Sequence, residues 1–163
     1  NIVDYINYVF VPACILLSTS LLPEHWRAIG ATVILLSSAY QFCQLDAKTT
    51  DNFFKGFPSY WNLAVMYFFV FHMNPWVCLI LILLFALLVF VPVKYVYPSR
   101  MEFLSQYKIV RYGMLIMTIV WGAAMTYQLI IFPHTKAWLH AVLLAYIVIY
   151  IGMSVRHTLK GKA

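Results

Sequence analysis

Six long apolar runs separated by short polar breaks dominate the chain, at approximately residues 5–22, 27–44, 59–74, 76–97, 110–132 and 137–155. A helix that spans a bilayer needs about 20 apolar residues, with a range of about 17 to 25. The runs meet or approach that length. The third is short, and His72 and Asn74 place its end at an interface. Membrane β-strands would alternate apolar and polar positions over about ten residues; WVCLILILLFALLVFVPV (76–93) does not alternate. The pattern predicts an all-α, polytopic integral membrane helix bundle, with six transmembrane helices forming one domain over 1–163. The breaks are punctuated by Pro23 with Glu24, by residues 46–58, by Asn74-Pro75, by Pro98 with Ser99 and Arg100, and by Pro133-His134. Proline ends helices because it lacks an N–H and restricts the residue before it. Pro12 and Pro92 fall inside runs, where neighbouring helices can satisfy the freed backbone groups.

Composition agrees with a lipid solvent. Of 163 residues, 64% are hydrophobic and 10% charged, against about 25% charged in a soluble domain; the mean hydropathy is +0.84. The net charge of +6 sits at the ends of the runs. It forms no basic soluble face, which argues against nucleic-acid binding. Cys14, Cys43 and Cys78 lie in or at the end of apolar runs, without a CxxC pair or a histidine at metal-ligand spacing, and read as small apolar side chains. With six spans, Lys48, Lys55, Lys94, Arg100, Lys108, Arg111, Arg156, Lys160 and Lys162 fall on one side, against Arg27 and Lys136 on the other. Positive charge marks the first side as cytoplasmic. Asp4, Asp46, Asp51 and Glu102 fall there too, four of the five acids. Acids contribute little to topology, so a chemical site facing the cytosol is the economical reading of that skew.

The candidate chemistry concentrates in two places. Asp4 stands at the edge of the first run, with Asn1 and Asn7 three positions to either side. It reads as a solvated flank or, inside a span, as a functional carboxylate. The segment DAKTTDNFFKGFPSYWN (46–62) interrupts the apolar pattern most strongly. Phe53, Phe54, Phe57, Tyr60 and Trp61 suit the headgroup level, Lys48 and Lys55 could reach lipid phosphates, Gly56 and Pro58 force a turn, and Ser59 can cap the next helix. Two readings stay open: a loop that anchors helix ends, or a pocket for a small polar substrate. Aromatic faces hold quaternary ammonium ions, and Asn62 and Gln41 add polar groups. Lys94, Arg100, Lys108 and Arg111 make a basic loop that sets topology or attracts phosphate. The five histidines are scattered, and no Ser–His–Asp order, phosphate-binding loop or GxGxxG is present.

NIVDYINYVFVPA, YQFCQLDAKTTDNFFKGFPSYWNLAVMY and FVPVKYVYPSR together resemble the bacterial phosphatidylcholine synthases of the CDP-alcohol phosphatidyltransferase superfamily. The resemblance covers nearly the whole chain; FxGFPxxWN is its most specific part. It implies eight helices, two of them ahead of residue 1, with this chain as the C-terminal six. It also implies a reaction in which choline's hydroxyl attacks CDP-diacylglycerol and CMP leaves. Asp4 matches the last aspartate of the superfamily signature D-x-x-D-G-x-x-A-R…G-x-x-x-D-x-x-x-D; the earlier aspartates, the glycines and the arginine are not in the chain. Asp4 is thereby expected as the base and as one ligand of a two-metal Mn²⁺ or Mg²⁺ site. Asp46, Lys48, Asp51, Phe53, Phe54, Gly56, Phe57, Pro58, Trp61, Asn62 and Arg100 are expected to bind substrate. The implied partners are CDP-diacylglycerol, choline and the bilayer, with a homodimer left open. The implied location is a bacterial inner membrane, with the active face toward the cytoplasm. The alternatives are a sister enzyme such as a phosphatidylserine synthase, a non-catalytic scaffold, or a small membrane transporter. A transporter would show matching interrupted helices, and none is visible. Two lysines against two aspartates in 46–62 favour choline or serine over a phosphate-bearing alcohol.

Overall fold

A computed structural model describes residues 2–44, 53–96 and 107–160. All six apolar runs fold as helices: α1 (Ile2–Ser18), α2 (Arg27–Cys43), α3 (Trp61–Val70), α4 (Pro75–Leu88), α5 (Lys108–Ile131) and α6 (Ala137–Lys160). A short 3₁₀ turn, Glu24–Trp26, leads into α2. Two two-residue strands, β1 (Phe54–Lys55) and β2 (Lys94–Tyr95), complete the elements. Only α5 and α6 are long and apolar enough to cross a membrane by length and composition among the described residues. At about 1.5 Å per residue, the ten residues of α3 and the fourteen of α4 fall short of a span. The helical class therefore stands as expected, while length alone does not carry the count of six spans.

The helix ends have identifiable causes. Asn74 caps α4, its Oδ1 accepting from Trp76 N–H at 2.9 Å, and Pro75 occupies the first turn, where its missing N–H is no loss. The same helix stops at Leu88, before Pro92, although the apolar run continues to residue 97. At the end of α3, His72 takes a left-handed φ of 46° that closes the last turn. In α1 the buried Pro12 is accommodated by a wider π-helical turn at Ile6–Phe10, with Val11 N–H bonding to Ile6 C=O. Proline cannot donate to the carbonyl four residues back and its ring crowds it; the wide turn just before Pro12 absorbs that conflict.

The chain divides into two compact units, one built from 1–47 and 55–93, the other from 48–54 and 94–163. In the first, α1 packs on α2 and α3, and α2 packs on α4. Its core holds Val9, Leu16, Ile34, Trp61, Phe68 and Ile82, each no more than 2% exposed. In the second, α5 and α6 pack together around Met114, Tyr146, Val96 and Phe53, and Trp121 stacks on Tyr146 with ring centroids 5.0 Å apart.

One stripe of α6 grips the β2 segment. Thr158 Oγ1 accepts from Lys94 N–H at 2.8 Å, Ser154 Oγ accepts from Val96 N–H at 3.2 Å, and Tyr150 Oη donates to Val96 C=O at 3.0 Å. Residues four apart share a helix face, so Tyr150, Ser154 and Thr158 offer a row of hydroxyls to an extended backbone. Phe53 joins this unit, its ring 4.7 Å from that of His157 and 6.0 Å from Lys94 Nζ.

Candidate active site

In the first unit two tyrosines of α1 tie three helices together. Tyr5 Oη donates to Leu35 C=O at 2.8 Å, and its ring meets Phe42 edge-on at 5.5 Å. Tyr8 meets Tyr60 edge-on at 5.8 Å. These contacts bring the start of α1, the C-terminal part of α2 and the entry to α3 together. Asp4, exposed and next to the anchored Tyr5, lies at the start of α1. The π turn begins two residues after it, and such turns recur at functional sites because they displace side chains from regular helical positions.

The α2–α3 junction is built from polar groups on apolar elements. Ser38 and Gln41, one helical turn apart, face the 55–62 segment. Trp61 Nε1–H donates to Ser38 Oγ at 2.7 Å, and Gln41 Nε2–H donates to Lys55 C=O at 3.0 Å. The second bond turns the Gln41 amide so that Oε1 is left as the free end; it is buried without a hydrogen-bond partner among the described residues, as are Ser59 Oγ and Asn62 Oδ1. Gln41 is 4% exposed and Ser59 0%. The hydroxyl of Ser59 does not cap α3 as its position suggested. Ser59 has φ of 56°, an uncommon conformation for a residue with a side chain, and α3 starts from Tyr60 without a side-chain cap.

The turn before the junction is held from the other side. Gly56 N–H donates to Val93 C=O and Phe57 N–H to Leu88 C=O, both at 3.0 Å. The second bond satisfies a terminal carbonyl of α4. Gly56 has φ of 79°, and a Cβ on it would sit 2.2 Å from Val89 O; glycine is required by both backbone angle and space. Phe57 stacks on Phe85 with centroids 5.0 Å apart and meets Trp61 edge-on at 5.2 Å.

Each expected site residue can now be placed. Gly56, Phe57, Trp61 and Asn62 come together in the first unit; Pro58 is buried beside them in the same turn. Phe53 and Phe54 belong to the second unit. Asp46, Lys48, Asp51 and Arg100 lie outside the described residues. The ring of Trp61 is fully buried, with its N–H engaged and its neighbours Phe57 and Phe85 packed against it. It serves as a pillar of the core. Sequence reasoning passed over Ser38, although a serine three positions before Gln41 in a largely apolar helix was a visible signal of one shared polar face.

The expected divalent metals need several oxygen ligands. Among the described residues no group of three or more His, Cys, Asp or Glu could hold one. The described acids are Asp4 and Glu24, and Glu24 lies in the turn beyond the far end of α1. Asp4 offers one carboxylate, and the described residues do not complete a metal site around it.

Two helices long and apolar enough to cross a membrane, beside several shorter apolar ones, mark a helical membrane protein. The comparisons make this specific, and the chain belongs to the phosphatidylcholine synthase family. It is 40% identical over 159 residues to the phosphatidylcholine synthase of Legionella bozemanae, covering 97% of this chain and 73% of that protein. It is 41% identical over 160 residues to that of Legionella pneumophila subsp. pneumophila, covering 97% of this chain and 62% of that protein. The Pseudomonas aeruginosa phosphatidylcholine synthase is 41% identical over 101 residues, 62% of this chain and 42% of that protein. The chain thus spans less than two thirds of the length of two of these three relatives. No family model matches the chain, and no solved structure matches it.

Proposed function

We propose that this chain forms the acceptor-alcohol side of a phosphatidylcholine synthase that transfers the phosphatidyl group of CDP-diacylglycerol to choline. In that reaction the choline oxygen forms a bond to the phosphorus carrying the diacylglycerol, the bond from that phosphorus to the bridging oxygen breaks, and CMP leaves with the electron pair. Asp4 is the base that takes the hydroxyl proton. Divalent metals, when bound, would neutralise charge on the diphosphate; the role that rests on this chain's own residues is the positioning and deprotonation of the alcohol. The observation that carries the reading is that Asp4 adjoins Tyr5, whose hydroxyl and ring tie the start of α1 to α2, in the same unit as the acceptor-rich α2–α3 junction, in a chain of this family.

A lipid with two acyl chains and a nucleotide head has to react at the bilayer edge, and an exposed carboxylate at the end of an apolar helix suits that depth. We take all six helices as membrane-embedded, with this end toward the cytoplasm, because nine of the eleven Lys and Arg fall on that side of the six-span topology. Within this proposal Asp46, Lys48, Asp51, Phe53, Phe54 and Arg100 remain candidates for substrate contact.

The test is turnover in membranes from cells expressing the gene, given CDP-diacylglycerol, Mn²⁺ and labelled choline or serine. Choline should enter phosphatidylcholine with release of CMP, and Asp4→Asn should slow this by about 10²–10⁴-fold, the usual worth of a general base. A product formed from serine and not from choline would replace this reading by that of a phosphatidylserine synthase.

A further inference from the structure

The α2–α3 junction carries more than the turnover reading needs. Buried carbonyl and hydroxyl oxygens without partners cost about 1–3 kcal/mol each, and each one in a folded protein calls for an explanation. Three fall at this one junction: Gln41 Oε1, Ser59 Oγ and Asn62 Oδ1. They come from a helix C-terminal end, a left-handed turn residue and a helix first turn, and all three are neutral. The two amide oxygens can only accept. Ser59 Oγ can also donate, so the two amide oxygens are the groups that call for a donor.

Resting on the function proposed above, we infer that Gln41, Ser59 and Asn62 form an oxygen-lined cradle for the cationic alcohol, and that these oxygens, not the ring of Trp61, set its specificity. An alcohol O–H gives one strong donor. A quaternary ammonium spreads positive charge over its methyl and methylene hydrogens, which make weak C–H···O contacts with several oxygens at once. Neutral oxygens need no counter-charge of their own, so the buried site carries no uncompensated anion while the ligand is absent. The geometry explains the division of labour. Trp61 spends its N–H on Ser38 and its ring on Phe57 and Phe85. Gln41 spends only its Nε2, on Lys55 C=O, and that bond fixes which of its atoms is left to a ligand. Gln41, which the sequence offered only as an added polar group, and Ser59, which it offered as a cap, are therefore specificity residues.

The experiment uses the complete enzyme in detergent–lipid micelles, with choline KM, CDP-diacylglycerol KM and choline-dependent thermal protection as readouts. Asn62→Leu and Gln41→Leu should each raise choline KM by about tenfold or more and abolish the protection, with the CDP-diacylglycerol KM held within about twofold, the signature of lost ground-state binding of one substrate. Asn62→Asp, which keeps the acceptor and adds charge, should bind choline at least as tightly as wild type. Ser37→Ala, which removes a hydroxyl already bonded to Val33 C=O, should change nothing. If Gln41→Leu fails to fold for want of the Lys55 contact, the Asn62 pair still decides. Unchanged choline KM in folded Asn62→Leu, or equal losses in Asn62→Leu and Asn62→Asp, would overturn the inference. Should the wild type consume another alcohol and leave choline untouched, the proposed function falls. The cradle then stands if the same Leu variants raise that alcohol's KM, and falls if they do not.

Discussion

The two compact units differ in how far the fold itself uses up their buried polar groups. In the α5–α6 unit the stripe Tyr150, Ser154 and Thr158 is spent on the β2 backbone, hydroxyl by hydroxyl, and Thr118 and Tyr146 bond each other at 3.1 Å. Even Gln128, which keeps one unpartnered oxygen, donates its Nε2–H to His134 C=O at 2.8 Å. In the α1–α4 unit, Ser38 and the Gln41 nitrogen are used structurally, while three oxygens at the α2–α3 junction are left over. A unit whose polar groups are largely consumed by its own backbone is built for holding. A unit that leaves acceptors buried and unused has paid a stability cost at one place, which is where ligand binding returns it.

The contrast can be broken experimentally, beginning with the largest effect. Gly56→Ala places a Cβ 2.2 Å from Val89 O at φ of 79°. The left-handed strain alone is worth about 1–3 kcal/mol and the clash adds to it, so a thermal melt in detergent should show severe destabilisation or no folded protein. A near-normal melt would mean that the turn before the junction is not held rigid. Next, Ser154→Ala strips the buried Val96 N–H of its acceptor, at a cost of about 1–3 kcal/mol, with choline KM untouched. A change in choline KM would give the second unit a part in alcohol binding. The smallest effect belongs to Trp61→Phe. It removes one hydrogen bond worth about 1 kcal/mol, and the Ser38 hydroxyl can turn back to a helix carbonyl. Stability should fall slightly and choline KM should hold; a rise as large as that in Asn62→Leu would restore Trp61 as a ligand.

Much of this was legible in the chain. Apolar runs bounded by Pro and Asn mark all six helices, because in lipid only internally bonded backbone is tolerated and proline interrupts that bonding wherever it stands. The Asn74-Pro75 start of α4 came out where the capping rules put it. Its stop at Leu88 did not, since the run from Val89 to Val93 is as greasy as what precedes it; what ends the helix there is the backbone of Gly56 and Phe57 bonding Leu88 and Val93 from 30 or more positions away. The π turn before Pro12 was likewise hidden, because periodicity does not distinguish a wide turn from a regular one.

For the site, residue types alone marked the 46–62 segment and Asp4, since polar and acidic groups at the edge of apolar runs stand out against so uniform a background. Which atoms of that segment are spent and which are left was decided only by folding. Trp61 was chosen from sequence for its ring and is consumed as core; Gln41 was a marginal candidate and retains a bare buried oxygen. The physical reason is general. Apolar patterning is a local property that each run carries by itself, whereas the partner of a hydrogen-bonding group is set by residues distant in the chain. Only the tertiary structure could show that Ser38 and Lys55 use up one indole and one amide nitrogen and leave three acceptors behind.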